Sequence, residues 1–149
     1  MGGSVRAFGH VHKRLSSPKG LPISVRLVCQ AHKLLMAGVR GHGKQPGELR
    51  RSQNWIGGTR PGNAAFVPPP PERVAALLAD LEKFIHAERA ALPPLVRIGL
   101  VHAQFETIHP FLDGNGRLGR LLVVFFLVLR DRLPEPLLYL SPYFEARRQ

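Results

Sequence analysis

The sequence has little cysteine, few aromatic residues and few acidic residues. Its single cysteine, Cys29, excludes a disulfide within the chain and is typical of proteins from reducing compartments. The apolar run at residues 121–129 is too short to cross a bilayer, and the first residues do not form a secretory signal peptide. We therefore expect a soluble cytoplasmic protein with no membrane partner.

The shortage of acidic residues sets the charge of the chain. It has 10 Asp and Glu residues against 21 Lys and Arg residues, which gives a formal net charge of +11. Such a charge is typical of proteins that bind nucleic acids, membrane surfaces or anionic small ligands. Because the basic residues form no long run and few aromatic residues lie among them, we do not expect a nucleic-acid partner. The length of 149 residues is that of one domain.

Hydrophobic periodicity predicts an all-α protein. Apolar residues recur at helical spacing in five segments, and Ser24 is a predicted N-cap. The predicted helices cover residues 5–15, 24–39, 71–88, 93–108 and 115–130. His32 falls on the apolar stripe of the second helix, so we interpret it as a packed core histidine rather than a ligand.

The segment from residue 40 to residue 71 departs from helical periodicity. It is rich in glycine and contains two short apolar pieces, at residues 53–56 and 64–67. These pieces are predicted to pair as a β-hairpin across residues 57–62. Two interpretations remain open, a long surface loop or a mobile flap beside an active site. Residues 53–67 are called the flap below.

Residues 109–120 have the sequence HPFLDGNGRLGR and directly precede the apolar run. A polar loop is therefore predicted at the N-terminus of a buried helix. The first N–H groups of a helix have no internal partner and carry partial positive charge, so this arrangement favours anions. Arg117 and Arg120 share one helix face and lean back towards the loop. Pro110 disfavours helical geometry at His109, which places the imidazole at the mouth of a predicted polyphosphate site.

This segment resembles in full the signature of Fic-domain proteins, of the Fic/Doc superfamily. The resemblance extends to residues 46–50, 54–57, 66–69 and 105–108. It implies a Fic-fold helical bundle with a small β-hairpin flap next to the active site. We expect a single Fic domain over residues 1–149 that is truncated relative to the family at one or both ends.

The resemblance implies a protein adenylyltransferase, which transfers AMP from ATP to a Ser, Thr or Tyr hydroxyl of a target protein and releases pyrophosphate. His109 would be the general base, a role that the ordinary pKa of histidine suits near neutral pH. Asp113 would hold Mg²⁺, which prefers a carboxylate together with phosphate oxygens. The expected cofactor is thus Mg²⁺, with ATP as co-substrate.

The other signature residues are implied to bind the phosphates of ATP. The side chain of Asn115 and the N–H groups of Gly114 and Gly116 would bind the α-phosphate, and Arg117 and Arg120 the β- and γ-phosphates. Gly116 also favours AMP transfer, because relatives that transfer the γ-phosphate have lysine at this position.

Other interpretations stand beside these roles. Asp113 and Asn115 are also typical turn and N-cap residues, and Arg120 would also suit a structural ion pair. Their joint occurrence with His109 and two glycines at fixed spacing favours the catalytic interpretation. For the whole chain, the alternatives are a Fic-fold transferase with another nucleotide or phosphate-containing donor, and a non-catalytic basic binding module.

The resemblance also implies partners. The flap would align an extended segment of the target protein by main-chain pairing. Tyr139 and Tyr143 follow the last predicted helix and would flank the adenine base, although ordinary packing accounts equally well for Tyr143. Many relatives are inhibited by a helix with the pattern Ser/Thr-x-x-x-Glu-Gly/Asn, and the nearest match here, residues 141–146, differs at its last position. We expect no inhibition built into this chain, with the inhibitor either in a missing segment or in a separate antitoxin-like protein.

Overall fold

The structure is a computed structural model in which the described part of the chain contains four α-helices that are described from end to end and one short 3₁₀-helix (Pro61–Asn63). It describes Ala7, Gly9, His10, His12, Lys13 and residues 23–37, 44–87 and 92–129. The helices are α1 (Val25–Met36), α2 (Pro71–His86), α3 (Pro94–Ile108) and α4 (Asn115–Leu129). The predicted all-α class is confirmed for this part of the chain.

Several predictions concern residues beyond this part of the chain. Five residues of the predicted helix at residues 5–15 are described, and all five are helical, as predicted: Ala7, Gly9, His10, His12 and Lys13. The other residues of this helix lie outside the described part of the chain, as do Tyr139, Tyr143 and residues 141–146. Within the described residues, none of the helices has both the length and the hydropathy that a transmembrane segment needs.

The ends of the helices follow local sequence signals. Ser24 has an extended backbone, and its Oγ accepts a hydrogen bond from the N–H of Leu27 at 3.3 Å, as predicted for the N-cap of α1. Helices α2 and α3 each begin with a proline, whose missing N–H is not needed in a first turn. Helix α3 ends at Ile108, directly before His109, as the following Pro110 predicted.

The core lies between the four helices. Helix α3 packs against α2 and α4, and α1 contacts α2 and α4. Helix α4 buries side chains on more than one face, as its apolar sequence predicted. Its buried residues include Leu118, Leu122, Val124, Phe125, Phe126 and Leu127. Because each buried Leu or Phe stabilises the fold by about 1.5–3 kcal/mol, the core fixes α4 and with it the loop at its N-terminus.

Two polar contacts tie helix ends to neighbouring helices. The carboxylate of Glu82 on α2 accepts a hydrogen bond from the N–H of Val25 at the start of α1, at 2.9 Å. Arg97 on α3 donates to the carbonyl oxygens of Phe84 at 2.6 Å and Ile85 at 3.2 Å, near the C-terminus of α2. These contacts satisfy terminal backbone groups that have no partner within their own helix.

The predicted β-hairpin is reduced to one antiparallel bridge, between Ile56 and Phe66. The N–H of Ile56 donates to the carbonyl oxygen of Phe66 at 2.9 Å, and the N–H of Phe66 donates back at 3.1 Å. No further strand pairing occurs in the described part of the flap, so the prediction of two strands was wrong in extent. Gly57 and Gly58 have φ of +70° and +71°, and this left-handed backbone turns the chain away directly after the bridge.

Candidate active site

His109 lies at the C-terminal end of α3 with a left-handed backbone, at φ 49° and ψ 61°. Its N–H donates to the carbonyl oxygen of Phe105 at 3.0 Å, which closes the last turn of the helix. A residue with a side chain in this conformation is strained by about 1–3 kcal/mol, and such strain persists only where the surrounding structure holds it. The position of this imidazole is therefore imposed by tertiary contacts.

The imidazole of His109 is half-buried, and its Nδ1 lies 3.3 Å from the carbonyl oxygen of Glu106. Since a carbonyl oxygen only accepts, Nδ1 carries the proton and Nε2 has the free lone pair in the neutral ring. Burial lowers the pKa of His109 below its ordinary value, the charge of Arg50 acts in the same direction, and Glu106 opposes both. At neutral pH the ring is a proton acceptor at Nε2, as a general base requires.

The loop after His109 is anchored by Phe111. The Phe111 side chain is fully buried and stacks on the imidazole of His32, with ring centroids 3.8 Å apart and planes at 10°. The side-chain amide of Asn115 binds the Phe111 backbone twice: Oδ1 accepts from the N–H at 2.9 Å, and Nδ2 donates to the carbonyl oxygen at 2.8 Å. Asn115 thus closes the loop and starts α4, and its predicted contact with a phosphate stays a prediction.

Asp113 lies at the tip of this loop. Its Oδ1 accepts a hydrogen bond from the N–H of Gly114 at 2.6 Å, and its backbone carbonyl oxygen lies 2.9 Å from Nε2 of His32. The described residues contain no group of three His, Cys, Asp or Glu side chains that could hold a metal alone. A single carboxylate fits Mg²⁺ that is bound together with nucleotide phosphates, because Mg²⁺ commonly uses one or two protein carboxylates there.

Gly114 occupies a position that only glycine fits. Its φ is +81°, and a Cβ at this site would lie 2.8 Å from the sulfur of Met36 and 3.3 Å from Nε2 of His32. The loop therefore lies directly on α1, and the start of α4 comes within reach of a bound anion without an intervening side chain.

Arg117 and Arg120 lean back towards the loop, as their spacing predicted. A guanidinium nitrogen of Arg117 lies 3.1 Å from the sulfur of Met36 and 3.6 Å from the Cβ position of Gly114. A guanidinium nitrogen of Arg120 lies 3.4 Å from the Cβ position of Gly116. Two cations thus flank the positive N-terminus of α4, which is an arrangement suited to a ligand with several phosphates.

The structure gives two further residues a place in the site that the sequence did not assign. His32 was predicted as a core histidine, and it is fully buried, but it also binds the loop: Nδ1 accepts from the N–H of Gly47 at 2.8 Å while Nε2 donates to Asp113. Arg50 is also buried, and its guanidinium donates to the carbonyl oxygen of His109 at 2.8 Å. The sequence held one signal for His32, a polar ring on the apolar stripe of a helix. A buried imidazole needs hydrogen-bond partners, so this position predicted that His32 binds some other group, but not which one.

Comparison with known proteins decides the family. A sequence model of the Fic/DOC family matches residues 22–127, which is most of the chain. The chain belongs to the Fic/DOC family. The match contains the flap and all of residues 109–120, so the family assignment and the site geometry refer to the same part of the molecule.

Curated relatives support a transferase of the Fic kind. The chain is 33% identical over 104 residues to the protein adenylyltransferase Fic of Drosophila erecta, and 34% identical over 104 residues to that of Drosophila willistoni. These matches cover 69% of this Fic chain but only 19% of each relative. The chain therefore spans about a fifth of the length of the curated relatives it matches.

Solved structures show the same fold. A Fic family protein from Desulfovibrio desulfuricans matches 86% of this chain with a TM-score of 0.61 and 32% identity, over 35% of its own length. Fic-1 of C. elegans matches 87% of this chain with a TM-score of 0.66 and 25% identity, also over 35% of its length. The predicted Fic-fold helical bundle is confirmed by these neighbours.

Proposed function

We propose that this chain transfers AMP from ATP to a hydroxyl group of a target protein and releases pyrophosphate. The observation that carries the proposal is the position of His109, whose half-buried imidazole has Nε2 as acceptor and which lies one short loop before the N-terminus of α4, where helix N–H groups favour anions. The name of the curated relatives, protein adenylyltransferase, supports the same reaction.

In the proposed reaction, Nε2 of His109 takes the proton from a Ser, Thr or Tyr hydroxyl of the target. The hydroxyl oxygen forms a bond to the α-phosphorus, and the bond from the α-phosphorus to the oxygen that bridges to the β-phosphate breaks. Pyrophosphate leaves with that bridging oxygen, and the proton remains on His109. The chain contributes by positioning and by charge, which dominate catalysis of phosphoryl-type transfer.

The N-terminus of α4 would bind the phosphates. The N–H groups of Gly114 and Gly116 and the side chain of Asn115 would hold the α-phosphate. Nδ2 of Asn115 has a second hydrogen beside the one bound to Phe111, and the N–H of Gly114 would exchange its hydrogen bond to Oδ1 of Asp113 for one to the phosphate when Asp113 binds Mg²⁺. Arg117 and Arg120 would neutralise the β- and γ-phosphates of the leaving group.

Asp113 would hold Mg²⁺ when the nucleotide binds. The metal would supply neutralisation of the phosphate charge that develops during transfer. Asp113 is suited to this role because its backbone is held by His32, which leaves the carboxylate as the acidic group at the tip of the loop.

The flap would bind the target protein. Trp55, Ile56, Phe66 and Val67 each keep 38–44% of their surface exposed, so the flap presents apolar side chains beside its single bridge. An extended segment of a target protein could add to this backbone by main-chain pairing. A separate inhibitory protein remains a further proposed partner.

Gly116 is the residue that favours AMP transfer over transfer of the γ-phosphate. A Cβ at this position would lie 3.4 Å from a guanidinium nitrogen of Arg120, in ordinary van der Waals contact, so a side chain at this position would share its space with that arginine. With glycine at position 116, the guanidinium of Arg120 lies close to the start of α4.

Labelled ATP tests the proposal directly. The chain is incubated with Mg²⁺, a cell lysate as target pool and ATP labelled on either the α- or the γ-phosphate. We expect label in protein only from the α-position. Label from the γ-position would show a kinase instead, and ATP binding without label from either position would favour another donor or a non-catalytic module.

The pH dependence of transfer tests His109 as the base. Because burial places the pKa of His109 below 6.5, the neutral form predominates at neutral pH and is lost only at more acidic pH. We expect the transfer rate to fall on acidification with a midpoint below 6.5. The pH profile of kcat/KM for Mg·ATP between about pH 5 and about pH 8 measures it, because kcat/KM reports the pKa values of the free enzyme, with circular dichroism as the control for folding. A midpoint above 6.5 would contradict the assignment.

A further inference from the structure

Arg50 is a buried arginine between the flap and α3, and only 2% of its surface is exposed. Its Nε donates to the carbonyl oxygen of His109 at 2.8 Å, and Nη2 donates to that of Ile108 at 3.3 Å. Nη1 donates to the carbonyl oxygen of Ser52 at 3.2 Å, and Nη2 also donates to that of Pro69. Ser52 directly precedes the flap and Pro69 follows it by two residues, so one guanidinium binds the chain on both sides of the flap and also the end of α3.

The four groups that the guanidinium binds are all backbone carbonyl groups. Those of Ile108 and His109 belong to the C-terminus of α3, which is the negative end of the helix dipole and suits a buried cation. The guanidinium is planar with donors in a fixed fork, so it cannot follow one acceptor without leaving another. The flap and the end of α3 therefore share one rigid connection.

This connection holds the peptide groups on both sides of His109. The carbonyl of Ile108 belongs to the peptide before His109, and the carbonyl of His109 belongs to the peptide after it. In addition, the backbone N–H of Arg50 donates to the carbonyl oxygen of Pro110 at 2.9 Å. Because these peptide groups set the left-handed backbone of His109, they also set the direction of its imidazole.

We propose that Arg50 is a positioning residue that couples the flap to His109, so that the base keeps its place only while both ends of the flap are held. The proposal rests on the proposed AMP transfer, in which the flap holds the target segment and His109 takes its proton. Arg50 acts through backbone carbonyl groups rather than by contact with a substrate.

Three variants of the full chain test the coupling. Arg50→Gln removes the charge and most of the hydrogen bonds, and Arg50→Lys keeps the charge but cannot bind four carbonyl groups at once. The matched control is Arg51→Gln, which removes the same charge from the neighbouring residue, whose side chain is 85% exposed.

Transfer of label from α-labelled ATP to lysate proteins gives the first measurement. We expect kcat to fall about tenfold to a hundredfold in both Arg50 variants, because a misplaced catalytic group loses rate on this scale. The KM for ATP should not change, since no hydrogen bond of Arg50 reaches α4. Arg51→Gln should keep the wild-type kcat.

Nuclear magnetic resonance gives a second measurement that does not depend on activity. Removing the charge of Arg50 should raise the pKa of His109, while Glu106, the other charged group that acts on this imidazole, stays in place. Arg50→Gln should therefore move the His109 titration to higher pH, and Arg51→Gln should leave it unchanged. Arg50→Lys keeps the charge, so a change in the chemical shifts of the His109 ring in that variant reports a displaced imidazole rather than a lost charge. Ring chemical shifts like those of the wild type in Arg50→Lys would show that Arg50 does not position His109.

Amide hydrogen exchange tests the link itself. The N–H groups of Ile56 and Phe66 in the flap and of His109 should exchange about tenfold faster in both Arg50 variants, the scale of one lost hydrogen bond to a charged group. The N–H of Val28 in α1 serves as the unaffected reference.

Faster exchange in the flap with wild-type kcat and an unmoved His109 titration would overturn the coupling. If Arg50→Gln does not fold, Arg50→Lys decides, and wild-type kcat and exchange in that variant would also overturn it. If the wild-type chain transfers no AMP, the proposed function fails, while the titration and the exchange rates still decide whether Arg50 connects the flap to His109.

Discussion

Replacement of His109 with alanine should lower the rate of AMP transfer by a factor of about 10²–10⁴, the usual contribution of a positioned general base. The imidazole is half-buried, its Nδ1 is used by the carbonyl of Glu106, and Nε2 is the nitrogen left to accept the proton of a hydroxyl. Binding of Mg·ATP should persist, because the N-terminus of α4 and its arginines are unchanged. Incorporation of α-labelled AMP and calorimetric titration with Mg·ATP measure the two effects.

The left-handed backbone of His109 calls for a second variant at the same position. Alanine at φ 49° is strained, whereas asparagine adopts this conformation readily, so His109→Asn removes the base with less disturbance of the loop. Both variants should lose transfer. The control is His102→Ala, which removes an imidazole from the same helix two turns earlier. Substantial transfer in His109→Asn would exclude the imidazole as the base.

Replacement of Phe111 with alanine should reduce the free energy of unfolding by about 3–5 kcal/mol, the usual range for a buried phenylalanine. The ring is fully buried and stacked on the imidazole of His32, so its removal leaves a cavity beneath the loop of residues 109–114. Denaturation with urea measures the loss. The loop should also bind Mg·ATP more weakly, because the backbone of residue 111, which binds Asn115 twice, loses the buried ring that anchors it.

The matched control for this variant is Phe66→Ala in the flap. Phe66 keeps 39% of its surface exposed, so its truncation should change the free energy of unfolding by much less. An equal decrease in the free energy of unfolding in the two variants would show that the surrounding side chains fill the cavity left by Phe111, and that Phe111 does not anchor the loop.

The helices were predictable because local residues set their ends. Ser24, the prolines that begin α2 and α3, and Pro110 act through their own backbone and need no distant partner. The signature residues were predictable as a group for a similar reason. They are contiguous, and one loop followed by one helix is enough to bring an imidazole, a carboxylate and two guanidinium groups to one place.

The supports of the site could not be predicted from the sequence. His32 lies 81 residues before Asp113, and Arg50 lies 59 residues before His109, yet each acts by binding a backbone carbonyl group. Carbonyl groups are present at every residue, so no side-chain pattern identifies which of them a distant donor will reach. The extent of the flap pairing was missed because the glycines after Ile56 turn the chain before a second pair can form.

The two hydrogen bonds of Asn115 have a consequence for chemical ageing. Asn115 is followed by Gly116, and in a flexible chain an asparagine before glycine is open to deamidation, in which the next backbone nitrogen attacks the side-chain amide carbon. Here Oδ1 and Nδ2 are both bound to the backbone of Phe111 at 2.9 and 2.8 Å, and the following residues are helical, so the folded loop hinders that attack. Once the loop opens for long enough, the resulting aspartate would present a second acceptor to the carbonyl of Phe111, and the damaged loop could not close again.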